Sequence, residues 1–200
     1  MHCLRVTPPL PTPALLDAAG SGDADARQQL FRDWAPVVLR WCKSLGGPKV
    51  DAEDAAHDVL VTALTRLPTL REAARFDAWM FGITRRVLTG HRRTAWVRGW
   101  IPGFTPDVPD SAEGPNARIE RNLTGARGQA ILERLPEDHR EILVLCDLEE
   151  RSDEAAAALL GVAVGTAKSR LRRARERFQI LAERSGLAAD NAPAALGGGR

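Results

Sequence analysis

The chain has 200 residues, 44% apolar and 27% charged, with a net charge of +2, enough for one large domain or two small ones. With no Tyr and five Phe, its cores must be lined mainly by Ala and Leu. Cys3, Cys42 and Cys146 are far apart, with no CxxC and no His/Cys run at metal-ligand spacing. This argues against a disulfide scaffold or zinc module and for reduced thiols in a cytoplasmic protein, with no cofactor expected. No apolar run reaches the roughly 18 residues of a membrane helix, and the Pro-rich start lacks a signal-peptide core, so no membrane insertion is expected.

In chain order, residues 1–13 carry four prolines and read as a flexible arm. A short helix is predicted over Ala14–Ala19. A long one follows over Asp23–Leu45, with Leu30, Trp34, Val37, Val38 and Trp41 at helical spacing and Gly46-Gly47-Pro48 as its stop. Asp51–Leu67 repeats Ala56, Val59, Leu60, Ala63 and Leu67, and Arg75–Arg93 repeats Phe76, Trp79, Met80, Ile83 and Val87. These helices form a first bundle, residues 14–95. Residues 96–118, broken by Pro102, Pro106, Pro109 and Pro115, read as a flexible linker. A second helical unit, residues 119–185, holds helices over Ile119–Leu135, from Pro136 to about Leu148, over Ser152–Leu160, and a basic helix after Gly161. Residues 186–200 read as a disordered tail. The fold class is all-α, with two small helical domains.

Charge is segregated along this plan. Arg85–Arg98 holds five arginines and no acid, Lys168–Arg177 six bases against one acid, and Asp51–Asp58 four acids without Lys or Arg. Such blocks predict separate surfaces for separate partners. A helix, a glycine turn and a basic helix in succession make a helix-turn-helix whose second helix enters the DNA major groove. On a wheel of about 100° per residue, Val164, Ala167, Leu171, Ala174 and Phe178 share the buried side. Thr166, Ser169, Arg172 and Arg173 face away, with Lys168, Arg170, Arg175 and Arg177 on the flanks. Arginine reads guanine bidentately, and flanking cations neutralise phosphates. On the helix from Arg75, the wheel puts Phe81, Arg85, Leu88 and Arg92 opposite the core face, and a ring between arginines suits single-stranded nucleic acid. Packing of Phe81 and Leu88 against a neighbouring helix is the competing expectation. Asp51, Asp54 and Asp58 share a face with Glu53 and His57 beside it. This pattern fits a favourable helix N-terminus, a docking face for a basic protein or, less well, a metal site.

Gly22-Asp23-Ala24-Asp25-Ala26, Asp51-Ala52-Glu53-Asp54-Ala55 and Phe76-Asp77-Ala78-Trp79-Met80-Phe81, followed by Leu135-Pro136 and Val164-Gly165-Thr166-Ala167-Lys168-Ser169-Arg170-Leu171, resemble bacterial RNA polymerase sigma factors of the extracytoplasmic function (ECF, group IV) subfamily. The first set is similar to sigma region 2 and the second to sigma region 4. The resemblance implies a non-enzymatic initiation factor that binds core polymerase and selects promoters. Its implied partners are core RNA polymerase, through the largest-subunit clamp helices and the flap, promoter DNA in double- and single-stranded form, and an anti-sigma factor. It assigns Asp51, Glu53, Asp54 and Asp58 to polymerase. Phe76, Phe81, Arg85, Arg86, Leu88, Arg92 and Arg93 go to the −10 element. Thr166, Lys168, Ser169, Arg170, Arg172, Arg173 and Arg175 go to the −35 element. The chain departs from the family pattern at Gly82, Arg86, Arg151, Asp153, Ala156 and Ala167. At about 0.8 kcal/mol per lost buried methylene, the alanines predict a C-terminal domain of marginal stability on its own. Two rival functions follow from parts of the pattern alone: a helix-turn-helix regulator acting without polymerase, and a metal-dependent hydrolase using Asp54, His57 and Asp58.

Overall fold

The computed structural model describes residues 8–98, residue 125 and residues 127–185, and all regular structure among them is helical. Residues 1–7 of the expected arm, residues 99–118 of the expected linker, the first turns of the helix expected from Ile119, and the tail 186–200 lie outside the described residues.

Local chemistry sets the helix ends. In α1 (Pro13–Ser21), Thr12 accepts from the Leu15 N–H and Pro13 opens the first turn. Asp23 caps α2 (Ala24–Gly46) through the Ala26 N–H, and Asp51 caps α3 (Ala52–Arg66) through the Glu53 and Asp54 N–H groups. α2 continues through Pro36 although proline supplies no N–H to the helix ladder. A 3-10 turn at Leu67–Thr69 and another at Ala73–Arg75 lead into α4 (Phe76–Arg98). α4 is longer than the periodicity predicts: it covers residues 96–98, which the prolines further on had suggested were linker.

α2 and α4 run side by side in the same direction, with α3 antiparallel to α4. Trp34 meets Phe76 edge-on at 4.9 Å between ring centres. Two turns further along α2, Trp41 meets Phe81 edge-on at 5.0 Å. Further on, a Cβ at Gly46 would lie 3.4 Å from Leu88 Cδ2. Such edge-to-face pairs add about 0.5–1.5 kcal/mol beyond their burial.

The structure corrects the exposed aromatic face expected on α4. Phe81 is 0% and Leu88 1% exposed, and Phe76, Met80, Ile83 and Thr84 are buried too. At about 100° per residue, these residues span an arc of roughly 160° rather than one narrow stripe. The arc is wide because α4 packs on α2 and α3 and, further round, on the C-terminal unit. Arg85 and Arg92 fall at the border of this arc, and Arg86 and Arg93 on the open side.

The C-terminal unit contains helical residues 127–133 (α5), α6 (Glu137–Leu143), a π-helical turn at Val144–Leu148, α7 (Asp153–Leu160) and α8 (Val164–Arg184). Pro136 is the cap of α6 rather than its first residue. Arg140 is buried and donates to the Leu132, Glu133 and Leu135 carbonyls at 2.9, 3.0 and 3.2 Å, closing the end of α5. Burial and the nearby Arg92 charge hold the Arg140 pKa below its ordinary value. Ala156, Ala167 and Ala174 are 0% exposed, so the small residues are enclosed between closely approaching helices. The two helical units that the sequence predicts are both present, and their buried residues form one continuous cluster. On α8 the buried stripe is Ala167, Leu171, Ala174 and Leu181, whereas Val164 is exposed and Phe178 half-buried.

Two outcomes test this packing. Phe81→Ala should destabilise the protein by about 3–5 kcal/mol in urea unfolding, as a core residue does and an exposed stacking ring does not. Burial pushes the Cys42 thiol up to about 12. Burial, with Asp153 and Asp147 nearby, pushes the Cys146 thiol up to about 11. At pH 7 the thiolate fraction of Cys146 is then on the order of one in ten thousand. Iodoacetamide should leave both cysteines unmodified in the folded protein and label them in urea, read by peptide mass spectrometry.

Candidate nucleic-acid interface

The helix-turn-helix is built from local signals. Ser152 Oγ accepts from the Ala155 N–H at 3.2 Å to start α7. Gly161, at φ +67°, ends it, in the left-handed region that costs a Cβ-bearing residue about 1–2 kcal/mol. The Val162 N–H then reaches the Ala157 carbonyl at 3.0 Å, which closes the helix end. α8 begins at Val164 with Ala163 as its cap and no side-chain acceptor for its first N–H groups. An uncapped helix N-terminus of this kind favours a phosphate.

On α8, Thr166, Lys168, Arg172, Arg173, Arg175 and Arg177 are exposed, and Ser169 and Arg170 half-buried. Their partners differ. Arg172 shares Glu176 one turn away at 2.6 Å, and Lys168 lies 3.7 Å from Glu154 and 3.9 Å from Asp153. Arg170 lies 3.4 Å from Asp138, and Arg175 is held by Asp147 at 2.5 Å. Ser169 turns its hydroxyl back to the Thr166 carbonyl at 3.0 Å. Arg173 has no ion pair among the described residues, so the wheel's crest is most open at Thr166 and Arg173, with Arg172 exposed beside them but paired.

The other basic surface is less open than the sequence implies. Of the residues expected at the −10 element, Phe76, Phe81 and Leu88 are core, which corrects their expected role as contact residues in this conformation. Arg86 and Arg93 are exposed. Arg85 Nε lies 2.5 Å from Glu141. Arg92 lies 2.5 Å from Glu137 and also donates to the Leu45 carbonyl at 3.1 Å. Glu141 is 3% exposed, and burial raises its pKa while the Arg85 charge opposes that rise. On α2, Arg40 makes a forked contact with Glu149, whose side chain is 1% exposed.

On α3, Glu53, Asp54, His57 and Asp58 are exposed, with the apolar Val61 at 48% exposure one turn further on. Asp51 is used as the helix cap, and Asp58 meets His91 of α4 at 2.8 Å. Asp54, His57 and Asp58 do not form a metal cage: among the described residues, no group of three His, Cys, Asp or Glu is placed to hold an ion. No described helix is long and apolar enough to cross a membrane.

Sequence reasoning missed the acidic partners of the arginines: Glu137, Asp138, Glu141, Asp147 and Glu149. Glu137 and Glu141 stand four residues apart on α6, a visible stripe. Their placement opposite α4, however, is a contact between residues 45 and 56 positions apart, which no local pattern encodes.

Residues 30–98 match the family model for Sigma-70 region 2, and residues 129–178 match the model for Sigma-70, region 4. The chain is 32% identical to the ECF RNA polymerase sigma factor ShbA of Streptomyces griseus over 183 residues, 85% of this chain and 94% of that one. Among solved structures, it resembles the sigma factor RpoE in complex with the anti-sigma factor NepR from Bartonella quintana. That match has a TM-score of 0.56 and 29% identity, over 78% of this chain and 96% of the other. The fold is also that of CnrH in complex with the cytosolic domain of CnrY, with a TM-score of 0.62 at 24% identity over 90% and 97% of the two chains. With region 2 carrying the basic α4 and region 4 the helix-turn-helix, the chain belongs to the ECF RNA polymerase sigma factors, promoter-recognising initiation factors with no enzymatic activity of their own.

Proposed function

We propose that the three charged surfaces divide the work of initiation as follows. The exposed acids of α3, Glu53, Asp54 and Asp58, followed one turn on by the exposed apolar Val61, dock on basic clamp helices of the polymerase largest subunit. Asp51 supports that face from the cap position. The C-terminal unit also meets the polymerase flap while α8 lies in the major groove of the −35 element. There Thr166, Arg172 and Arg173 face the bases, with Ser169 beside them. Lys168, Arg170 and Arg175 serve the phosphates on either side, and the open N-terminus of α8 takes a further phosphate. On α4, Arg85, Arg86, Arg92 and Arg93 hold the −10 element. Phe76, Phe81 and Leu88 contribute by fixing the helix that carries these arginines.

The observation that carries this reading is Arg173. It is exposed and without an ion pair among the described residues, on the crest of a helix on which Lys168, Arg170, Arg172 and Arg175 face carboxylates. A guanidinium left in that state is available for bidentate readout of guanine. The sigma factor RpoE of Bartonella quintana, solved with the anti-sigma factor NepR, supports a protein partner of that kind here, covering the same surfaces in the cytoplasm when initiation is off.

Core polymerase supplemented with this protein should yield transcripts from specific start sites, and sequencing their upstream DNA should reveal two elements. DNA binding that persists with no transcripts from the reconstituted enzyme would favour a regulator independent of polymerase. Within that system, Arg173→Ala should weaken recognition of the upstream element by about 1–3 kcal/mol. An equal loss on promoter and random DNA would show that Arg173 serves phosphates only.

A further inference from the structure

Most carboxylates that meet the cations of α8 come from other elements. Asp138 reaches Arg170 from α6, and Asp147 reaches Arg175 from the π-helical turn. Asp153 and Glu154 lie near Lys168 from the first turn of α7. Arg172 differs. It is the cation of α8 that, among the described residues, is held by an acid of its own helix: its Nη1 donates to Glu176 Oε1 at 2.6 Å. A helical side chain leans over the turn N-terminal to its own Cα, which brings Glu176 onto Arg172. The contact is therefore built into α8 and travels with it into any groove.

Stability does not account for this pair. The two side chains are 66% and 56% exposed, and exposed pairs of this kind contribute little in water. The order, arginine first and glutamate four residues later, is also the weaker one on a helix. What the contact fixes is direction. The pair borders an open cleft of about 330 Å³, lined also by Asp153, Lys168, Leu171, Arg175 and Gln179. Glu176 is the only hydrogen-bond partner of the Arg172 guanidinium among the described residues. Without it, that long side chain would be free to swing over the cleft and settle on a phosphate. With Nη1 engaged, Nε and Nη2 still form one complete edge of the planar fork. That edge can donate twice to the O6 and N7 of a guanine. The Glu176 charge opposes the approach of a phosphate far more than that of a neutral base edge.

We propose that Glu176 is a specificity-determining positioning residue for the upstream promoter element: it holds Arg172 with the Nε–Nη2 edge free for a guanine and keeps that guanidinium off the phosphates. The proposal rests on the reading of α8 as the helix in the −35 major groove, and extends it to a side chain that acts through another. Arg173 reads its base unaided, whereas Arg172 reads one base pair under the control of Glu176.

The test uses core polymerase reconstituted with the full chain. Binding is measured on a duplex promoter library randomised through the upstream element, against a random-sequence duplex as competitor. E176A should lower the promoter-to-random binding ratio about ten-fold and flatten the preference at one base pair while leaving the others. E183A is the control. Glu183 is exposed on the same helix and accepts from Gln179 at 3.1 Å. Its loss removes the same charge without freeing an arginine, so it should change the ratio by no more than about two-fold and flatten no position. R172A should flatten the base pair that E176A flattens, and adding E176A to R172A should change that preference no further. An E176A protein with the parent preferences, or with a ratio no lower than that of E183A, overturns the proposal. So does a position flattened by E176A and untouched by R172A. If R172A flattens one position and E176A none, Arg172 reads its base unaided and only the positioning role fails. If neither R172A nor R173A flattens any position, the reading of α8 as the base-contacting helix fails with it.

Discussion

The structure depends on the wide burial of α4. One helix supplies Phe76, Met80, Ile83, Thr84, Phe81 and Leu88 to the interior, an arc of about 160° on a wheel of about 100° per residue. Two tryptophans of α2 lock the register through edge-on contacts with Phe76 and Phe81. Four arginines of α4, Arg85, Arg86, Arg92 and Arg93, are thereby confined to the remaining face and its borders. Arg86 and Arg93 stand in the open. Arg85 and Arg92 emerge at the seam with the C-terminal unit, where they need either carboxylates or phosphates.

That seam explains how two small units can share a core. Large aromatics serve the N-terminal side and fully enclosed alanines the C-terminal side. Alanine contributes little transfer energy per residue but lets helix axes approach closely, and α7 uses this to pack on α4. The ion pairs add geometry more than stability. Desolvation of Glu141 and Glu149 offsets much of their attraction to Arg85 and Arg40, and the exposed pairs on α8 are worth little in water. Such contacts specify how the units meet while leaving the energy of parting modest.

Much of this was legible in the chain because it is local. Helix starts near Asp23, Asp51 and Ser152, the glycine at position 161 and the apolar spacing of α2 and α3 are each read within one or two turns, and agree with the structure. The helix-turn-helix and the acidic block on α3 were visible for the same reason. The errors came where two surfaces claim one helix. A wheel assumes a single buried stripe, so Phe81 and Leu88, about 140° and 120° from Phe76 on that wheel, read as exposed. Val164 failed in the opposite sense: it lies on the buried side of the wheel, but at the first turn of α8 no helix covers it.

The sequence by itself determined the helices, the order of the two units, the family, and which residue types could meet DNA and polymerase, because periodicity, capping and charge blocks act over a few residues. Only the tertiary structure decided which of those cations are free. Arg173 has no carboxylate opposite it among the described residues, whereas Arg85 and Arg92 face Glu141 and Glu137. A guanidinium's availability is a property of whatever lies within a few ångströms of it. For α4, those neighbours come from a segment some fifty residues further along the chain.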